Sequence, residues 1–180
     1  MTEMEIINHA IRKIPNYPQQ GILFYDITTV LNNPTAFQAA VDLIAKAHLD
    51  KNIDMVAGLE ARGFILGAAV AYRLNVGFVP IRKKGKLPAA TFAQDYALEY
   101  GNATVEIHQD ALGCNQTVLL CDDLIATGGT MLAGAELLRR AGASTIYTAT
   151  IIEFSDMDGG EKIRQANLPL FSVLKADGSM

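Results

Sequence analysis

The sequence predicts an α/β fold, a mainly parallel twisted sheet with helices on both faces. Apolar strand-like segments alternate with amphipathic helical ones along most of the chain, the pattern of strands joined by helical crossovers. One of them, QTVLLCD, is apolar almost throughout, as a strand covered on both faces is. No repeat, low-complexity tract or linker divides the 180 residues, so residues 1–180 read as one domain with a sizeable core.

The elements follow in order. Residues 3–14 place Ile6, Ile7, Ala10, Ile11 and Ile14 on one helical face. PNYPQQG is punctuation, and ILFYDIT is a short extended piece. Asn33-Pro34 opens a helix to about His48, with proline at the favoured first position. IDMVAGLE is a strand, GFILGAAVAYRLN a helix and VGFVPIR a strand. A polar segment over residues 83–101 is too long for an ordinary connection; it reads as a lid over a ligand, with a surface excursion without function as the other reading. Its end, Ala97-Leu98-Glu99-Tyr100-Gly101, looks like a hairpin arm leading into ATVEIH, which alternates as a half-exposed strand does. QTVLLCD, the helix TMLAGAELLRRAG and the strand STIYTATIIEF come next, then a short helix near 158–166 and a last strand, LFSVL.

Composition narrows the function. A net charge of −4 gives no reason to expect nucleic-acid binding, and no apolar run approaches the roughly 20 residues that span a bilayer. The acidic, amphipathic N-terminus is unlike a signal peptide, and Cys114 and Cys121 form no CxxC pair. A cytoplasmic protein with two buried free thiols is the expectation. His9, His48 and His108 are scattered without acid or serine patterns around them, and read as structural.

Three constellations carry chemistry. In LLCDDLIATGGT a strand ends in Asp122 and Asp123, and the small residues Ala126, Thr127, Gly128, Gly129 and Thr130 open into a helix. A helix start presents free N–H groups and the positive end of the macrodipole, glycines let the backbone wrap an anion, and threonine hydroxyls donate to it. No Gly-Lys-Ser/Thr follows, so a terminal monophosphate fits better than a triphosphate. The acid pair can meet ribose hydroxyls, hold Mg²⁺ or cap the turn. The second constellation, Gly58-Leu59-Glu60-Ala61-Arg62-Gly63, is another strand-to-helix turn, where Arg62 offers a planar cation to a second phosphate group. The third, Arg82-Lys83-Lys84-Gly85-Lys86, breaks an otherwise acidic chain at the end of a third strand. It suits a polyanionic ligand or leaving group, or the edge of a dimer contact.

The acid pair with ATGGT resembles the phosphoribosyl-diphosphate signature of the type I phosphoribosyltransferases. GLEARGF, IRKKGKLP, LEYG and IIEF resemble the adenine-specific branch of that family, collinearly from about Gly21 to Leu174. The resemblance implies transfer of a 5-phosphoribosyl group from its diphosphate to N9 of adenine, with Mg²⁺, in a homodimer. It implies that residues 126–130 hold the 5′-phosphate and that Asp122 and Asp123 face the ribose hydroxyls. Ala61, Arg62 and Gly63 would take the diphosphate, with Arg82, Lys83 and Lys86 adding charge, partly across the dimer interface. Glu99, in the lid, aligns with the family's acid–base residue, with Tyr100 beside it.

For the base, the resemblance implies a hood over residues 1–32. Backbone groups at Ile22 to Tyr25 would read the base edge, and Phe24 and Phe154 would sandwich the ring; a place in the core is the other reading of both. Tyr25 stands where many members have arginine, and Gln20 where proline is usual. Another base, hypoxanthine, guanine, xanthine or orotate, is the alternative substrate. STIYTATIIEF offers no lysine to read a 6-oxo group, which favours adenine. A non-catalytic sensor of the diphosphate donor is the rival of a different class.

Overall fold

Two hydrophobic layers sandwich the central sheet of this protein, whose computed structural model describes residues 1–97 and 101–179. The elements run α1 (Glu3–Ala10), β1 (Arg12–Pro15), β2 (Leu23–Asp26), α2 (Thr28–Leu31), α3 (Pro34–Lys46), β3 (Met55–Leu59), α4 (Arg62–Leu74), β4 (Gly77–Lys83), β5 (Thr91–Ala97), β6 (Asn102–His108), β7 (Gln116–Ile125), α5 (Gly129–Ala141), β8 (Ala143–Phe154), α6 (Gly159–Gln165) and β9 (Leu170–Ala176). Among the described residues the main sheet has the order β5-β6-β4-β3-β7-β8-β9. The pairings β4-β3-β7-β8-β9 are parallel, and β6 joins β4 and β5 antiparallel. The predicted mainly parallel α/β class is therefore the observed one.

β7 shows why both faces are covered. Leu119 and Cys121 pack into one layer with Ile7, Ile44, Leu66 and Val70 from α1, α3 and α4. Val118 and Leu120 pack into the other with Leu137, Leu138 and Ile163 from α5 and α6. Successive side chains of a strand point to opposite faces, so an apolar run needs a helix on each side.

Three expectations change. The first helix ends at Ala10, and Arg12–Pro15 is a strand paired with β2. Pro15 disfavours helical backbone at Ile14, and the Arg12 guanidinium reaches Asp26 across the ribbon at 2.6 Å. Within the long lid segment, residues 84–90 are irregular. TFAQDYA alternates and forms β5, paired with β6 from Thr91–His108 to Ala97–Asn102, with Arg140 of α5 stacked 4.9 Å from the Phe92 ring. Cys121 is buried, but Cys114 is exposed, in the connection before β7.

The histidines are engaged locally, as expected. Nδ1 of His48 donates to the Ile44 carbonyl at 2.7 Å, and burial pushes this imidazole below its ordinary pKa. Nδ1 of His9 lies 2.8 Å from the Glu5 carbonyl, and Nε2 of His108 accepts from the Ala89 N–H at 3.4 Å.

Candidate active site

Strands β3, β4 and β7 run parallel, so their carboxyl ends open on one edge of the sheet, where open α/β sheets bind ligands. A cavity of about 440 Å³ lies there, lined by Glu60, Ala61, Arg62, Lys83, Tyr96, Asp122, Asp123 and residues 124–131. Chain segments far apart in sequence thus bring the acid pair, the small-residue turn, the arginine turn and the first lysine of the basic run to one place.

The small-residue turn has the backbone that its glycines permit. Gly128 has φ +79°, in the left-handed region, and α5 begins at Gly129 with no side chain capping its free N–H groups. The turn is backed from below. Gly159, at the start of α6, donates its N–H to the Ala126 carbonyl at 3.1 Å. A Cβ added at Gly159 would stand 2.2 Å from that carbonyl oxygen and 2.6 Å from the Gly128 nitrogen. From above, the β5 arm reaches the same turn, since a Cβ at Gly129 would lie 3.3 Å from the Ala97 carbonyl oxygen and 3.5 Å from the Tyr96 ring.

The acids are asymmetric. Asp123 is 4 % exposed, and its carboxylate accepts from Nε of Arg62 at 2.5 Å. Asp122 accepts the Asp123 backbone N–H at 2.9 Å. Burial, and then the neighbouring Asp123 charge, hold the Asp122 carboxyl well above the usual carboxylate range. Glu60 is a second clamp. It accepts the Lys83 backbone N–H at 3.0 Å and the Arg82 guanidinium at 3.2 Å, and these bonds, the Lys83 one foremost, lower its pKa.

The other predicted residues are distributed around this centre. Gly63 sits behind the cavity, where a Cβ would stand 2.8 Å from the Cys121 carbonyl oxygen; it lets α4 approach β7. Arg82 is turned to Glu60 and to the Lys86 carbonyl, 3.2 Å away, and neither Arg82 nor Lys86 lines the cavity. Ile22, Phe24 and Tyr25 lie in the hood ribbon. Phe24 packs edge-on against Tyr17 at 5.1 Å, whereas the ring beside Phe154 is that of Tyr25, at 5.3 Å. Glu99 and Tyr100 lie outside the described residues.

Comparison with known proteins decides the family. The phosphoribosyl transferase domain model matches residues 26–175. Adenine phosphoribosyltransferase of Neisseria meningitidis serogroup B is 60% identical over 170 residues, 94% of this chain and 90% of that relative. The chain belongs to the adenine phosphoribosyltransferase family. Solved members of the family share its architecture. The Thermoanaerobacter pseudethanolicus enzyme superposes with TM-score 0.90 at 44% identity, over 96% of this chain and 99% of the other. The Saccharomyces cerevisiae enzyme, complexed with adenine and an imino-altritol bisphosphate, gives 0.88 at 36% identity, over 96% and 98%.

Three cavity or supporting residues escaped the sequence reasoning. Glu60 was visible in GLEARGF, but its partners come from β4. Tyr96 was hidden because TFAQDYA read as loop. Gly159 had no local signal, since a glycine pair after Asp158 reads only as a turn.

Proposed function

We propose that this chain transfers the 5-phosphoribosyl group of 5-phosphoribosyl 1-diphosphate to N9 of adenine, giving AMP and diphosphate. The observation that carries the reading is the 440 Å³ cavity, which joins a phosphate-type turn, an acid pair and the cations Arg62 and Lys83. The extent of likeness to adenine phosphoribosyltransferases supports the choice of base.

In this reading, residues 126–130 hold the 5′-phosphate by backbone N–H groups and threonine hydroxyls. Asp122 and Asp123 accept from the ribose hydroxyls. Arg62 with Ala61, and Lys83, face the diphosphate from the cavity wall; Gly63 supports that turn from behind, and Arg82 and Lys86, outside the cavity of this protomer, add charge partly across the dimer interface. The C1′–oxygen bond breaks with its electron pair leaving on the diphosphate, where fixed cations stabilise the growing charge. N9 of adenine forms the new bond at C1′, and Glu99 takes its proton, with Tyr100 beside it. The β5–β6 hairpin shuts out water, which would otherwise hydrolyse the donor. Ile22, Phe24, Tyr25 and Phe154 form the base subsite.

Mg²⁺ fits this donor set. Among the described residues no group of three or more metal-type side chains exists. Two carboxylates beside a diphosphate match the way Mg²⁺ is usually held, through few protein ligands and substrate phosphates. The ion would neutralise charge on the leaving diphosphate. Homodimerisation has a fitting surface on α4, where Ile65, Ala68 and Tyr72 form an exposed apolar stripe and Tyr72 is 89 % exposed. No helix of the described residues is long and apolar enough to cross a membrane; an exposed free thiol at Cys114 accords with a reducing cytoplasm.

The test is diphosphate release from the donor and Mg²⁺ with adenine, hypoxanthine, guanine, xanthine or orotate in turn. Turnover is expected with adenine. Turnover with 6-oxopurines alone would overturn the base assignment, and donor binding without turnover on any base would favour the sensor. Glu99→Gln is expected to lower kcat by about 10²-fold or more with donor affinity within twofold. Full activity in that variant would remove Glu99 from the acid–base role.

A further inference from the structure

The hood ribbon is held down by a contact that the transfer chemistry does not use. β1 and β2 form a two-stranded sheet, which on its own is marginally stable and would leave Ile22 to Tyr25 poorly positioned. Residues 177–179, which follow β9, lie along its free side. The Leu23 N–H donates to the Gly178 carbonyl at 3.0 Å, Ile22 bridges Ser179 in antiparallel fashion, and the Tyr25 hydroxyl donates to the Asp177 carbonyl at 3.0 Å.

That strap is itself fixed by one side chain. Oδ1 of Asp156 accepts the Gly178 N–H at 2.8 Å, and Oδ2 accepts the Ser179 N–H at 2.9 Å and its hydroxyl at 2.7 Å. Asp156 stands two residues beyond Phe154, at the carboxyl end of β8. The Ser155 N–H donates to the Ala176 carbonyl at 2.7 Å, registering the strap against the same turn. Gly178 is buried against the Phe154 ring, where a Cβ would stand 3.4 Å from the nearest ring carbon. The strap therefore touches both sides of the proposed base subsite, the hood strand and Phe154.

We propose that Asp156 and residues 177–179 form a positioning strap that sets the distance between the hood and Phe154, and so tunes affinity for the base without touching the donor. The inference rests on the reading that Ile22, Phe24, Tyr25 and Phe154 bind the base. The carboxylate is suited to the task. Three bonds from backbone and hydroxyl donors, the Gly178 N–H foremost, hold its pKa down at about 2, so the clamp stays charged across the working range of the enzyme. A support of this kind acts through the placement of contact groups, and loosening it costs affinity for the group they contact.

The test is a split in Michaelis constants. Asp156→Ala removes three hydrogen bonds and is expected to raise the adenine KM about tenfold, leaving the donor KM within twofold. Asp156→Asn, which retains one acceptor oxygen for the strap, should fall between the two. Tyr25→Phe keeps the ring on Phe154 and removes only the hydroxyl that binds Asp177; it should shift the adenine KM in the same direction, and it carries the test if Asp156→Ala fails to fold. Unchanged adenine KM in Asp156→Ala, or in Tyr25→Phe where the former does not fold, would overturn the strap, as would an equal rise in both KM values. Phe24→Ala separates this from the underlying reading. If that variant leaves the adenine KM unchanged, the base subsite itself is misassigned; if it raises it while the strap variants do not, only the strap fails.

Discussion

Gly159→Ala is expected to lower kcat/KM for the donor by about a hundredfold, although Gly159 touches no substrate in the proposed reading. Its added methyl would meet the Ala126 oxygen at 2.2 Å, the Gly128 nitrogen at 2.6 Å and the Thr127 carbonyl carbon at 2.7 Å. All three are backbone atoms, so no side chain can swing aside to relieve the clash. Either α6 retreats or the phosphate turn moves, and a turn that holds an anion by convergent N–H groups tolerates little displacement. Gly113→Ala is the matched control, since its Cβ would find its nearest neighbour at 3.7 Å, ordinary contact distance. Steady-state kinetics on both variants, with circular dichroism to establish folding, check this. A Gly159→Ala enzyme with the parental donor KM and kcat would show that the turn is not held by α6.

Asp122→Asn is expected to separate stability from activity. The folded-state pKa of Asp122 is raised, by burial first and by the Asp123 charge second. A group raised in this way contributes stability below its unfolded value, near 3.8, and loses it as pH rises through the folded value. Above that folded value the parent carries a buried charge that asparagine lacks. The variant keeps an oxygen to accept the Asp123 N–H, so little else changes. It should melt higher than the parent at pH 8, with the gap closing as pH falls toward 4. Turnover should fall at least about tenfold, because in the proposed reading the ribose hydroxyls lose one of the two carboxyl oxygens that accept from them. Equal melting temperatures at pH 8 would mean that Asp122 is not strained by its surroundings.

The legible parts of this protein are those written in consecutive residues. Asp122-Asp123 with Ala126–Thr130 declares a strand, a turn and a helix start within twelve residues, and each step has a local physical cause. Asn33-Pro34 likewise fixes the start of α3, where the Asn33 side chain accepts from Thr35 and Ala36. The illegible parts are made by partners distant in sequence. β1 becomes a strand only by pairing with β2, against the helical spacing of Ile11 and Ile14. β5 is a strand because β6 lies beside it and α5 beneath it, a tertiary override of its loop-like polarity. Gly159 is meaningful only because the turn more than thirty residues earlier folds onto it, and the Asp156 strap joins residues over twenty positions apart.

The pairing of Arg62 with Asp123 bears on how the reaction cycle ends. In the proposed reading these are groups of opposite assignment, one for the diphosphate and one for the ribose, yet in this structure each satisfies the other. The donor carries both of the moieties that part them. AMP carries the ribose but not the diphosphate, so once the leaving group has gone the guanidinium has one buried anion to return to, and that anion is the carboxylate the product ribose also wants. In that reading, re-forming the Arg62–Asp123 pair works against retention of the product, because the arginine competes with the AMP ribose for Asp123.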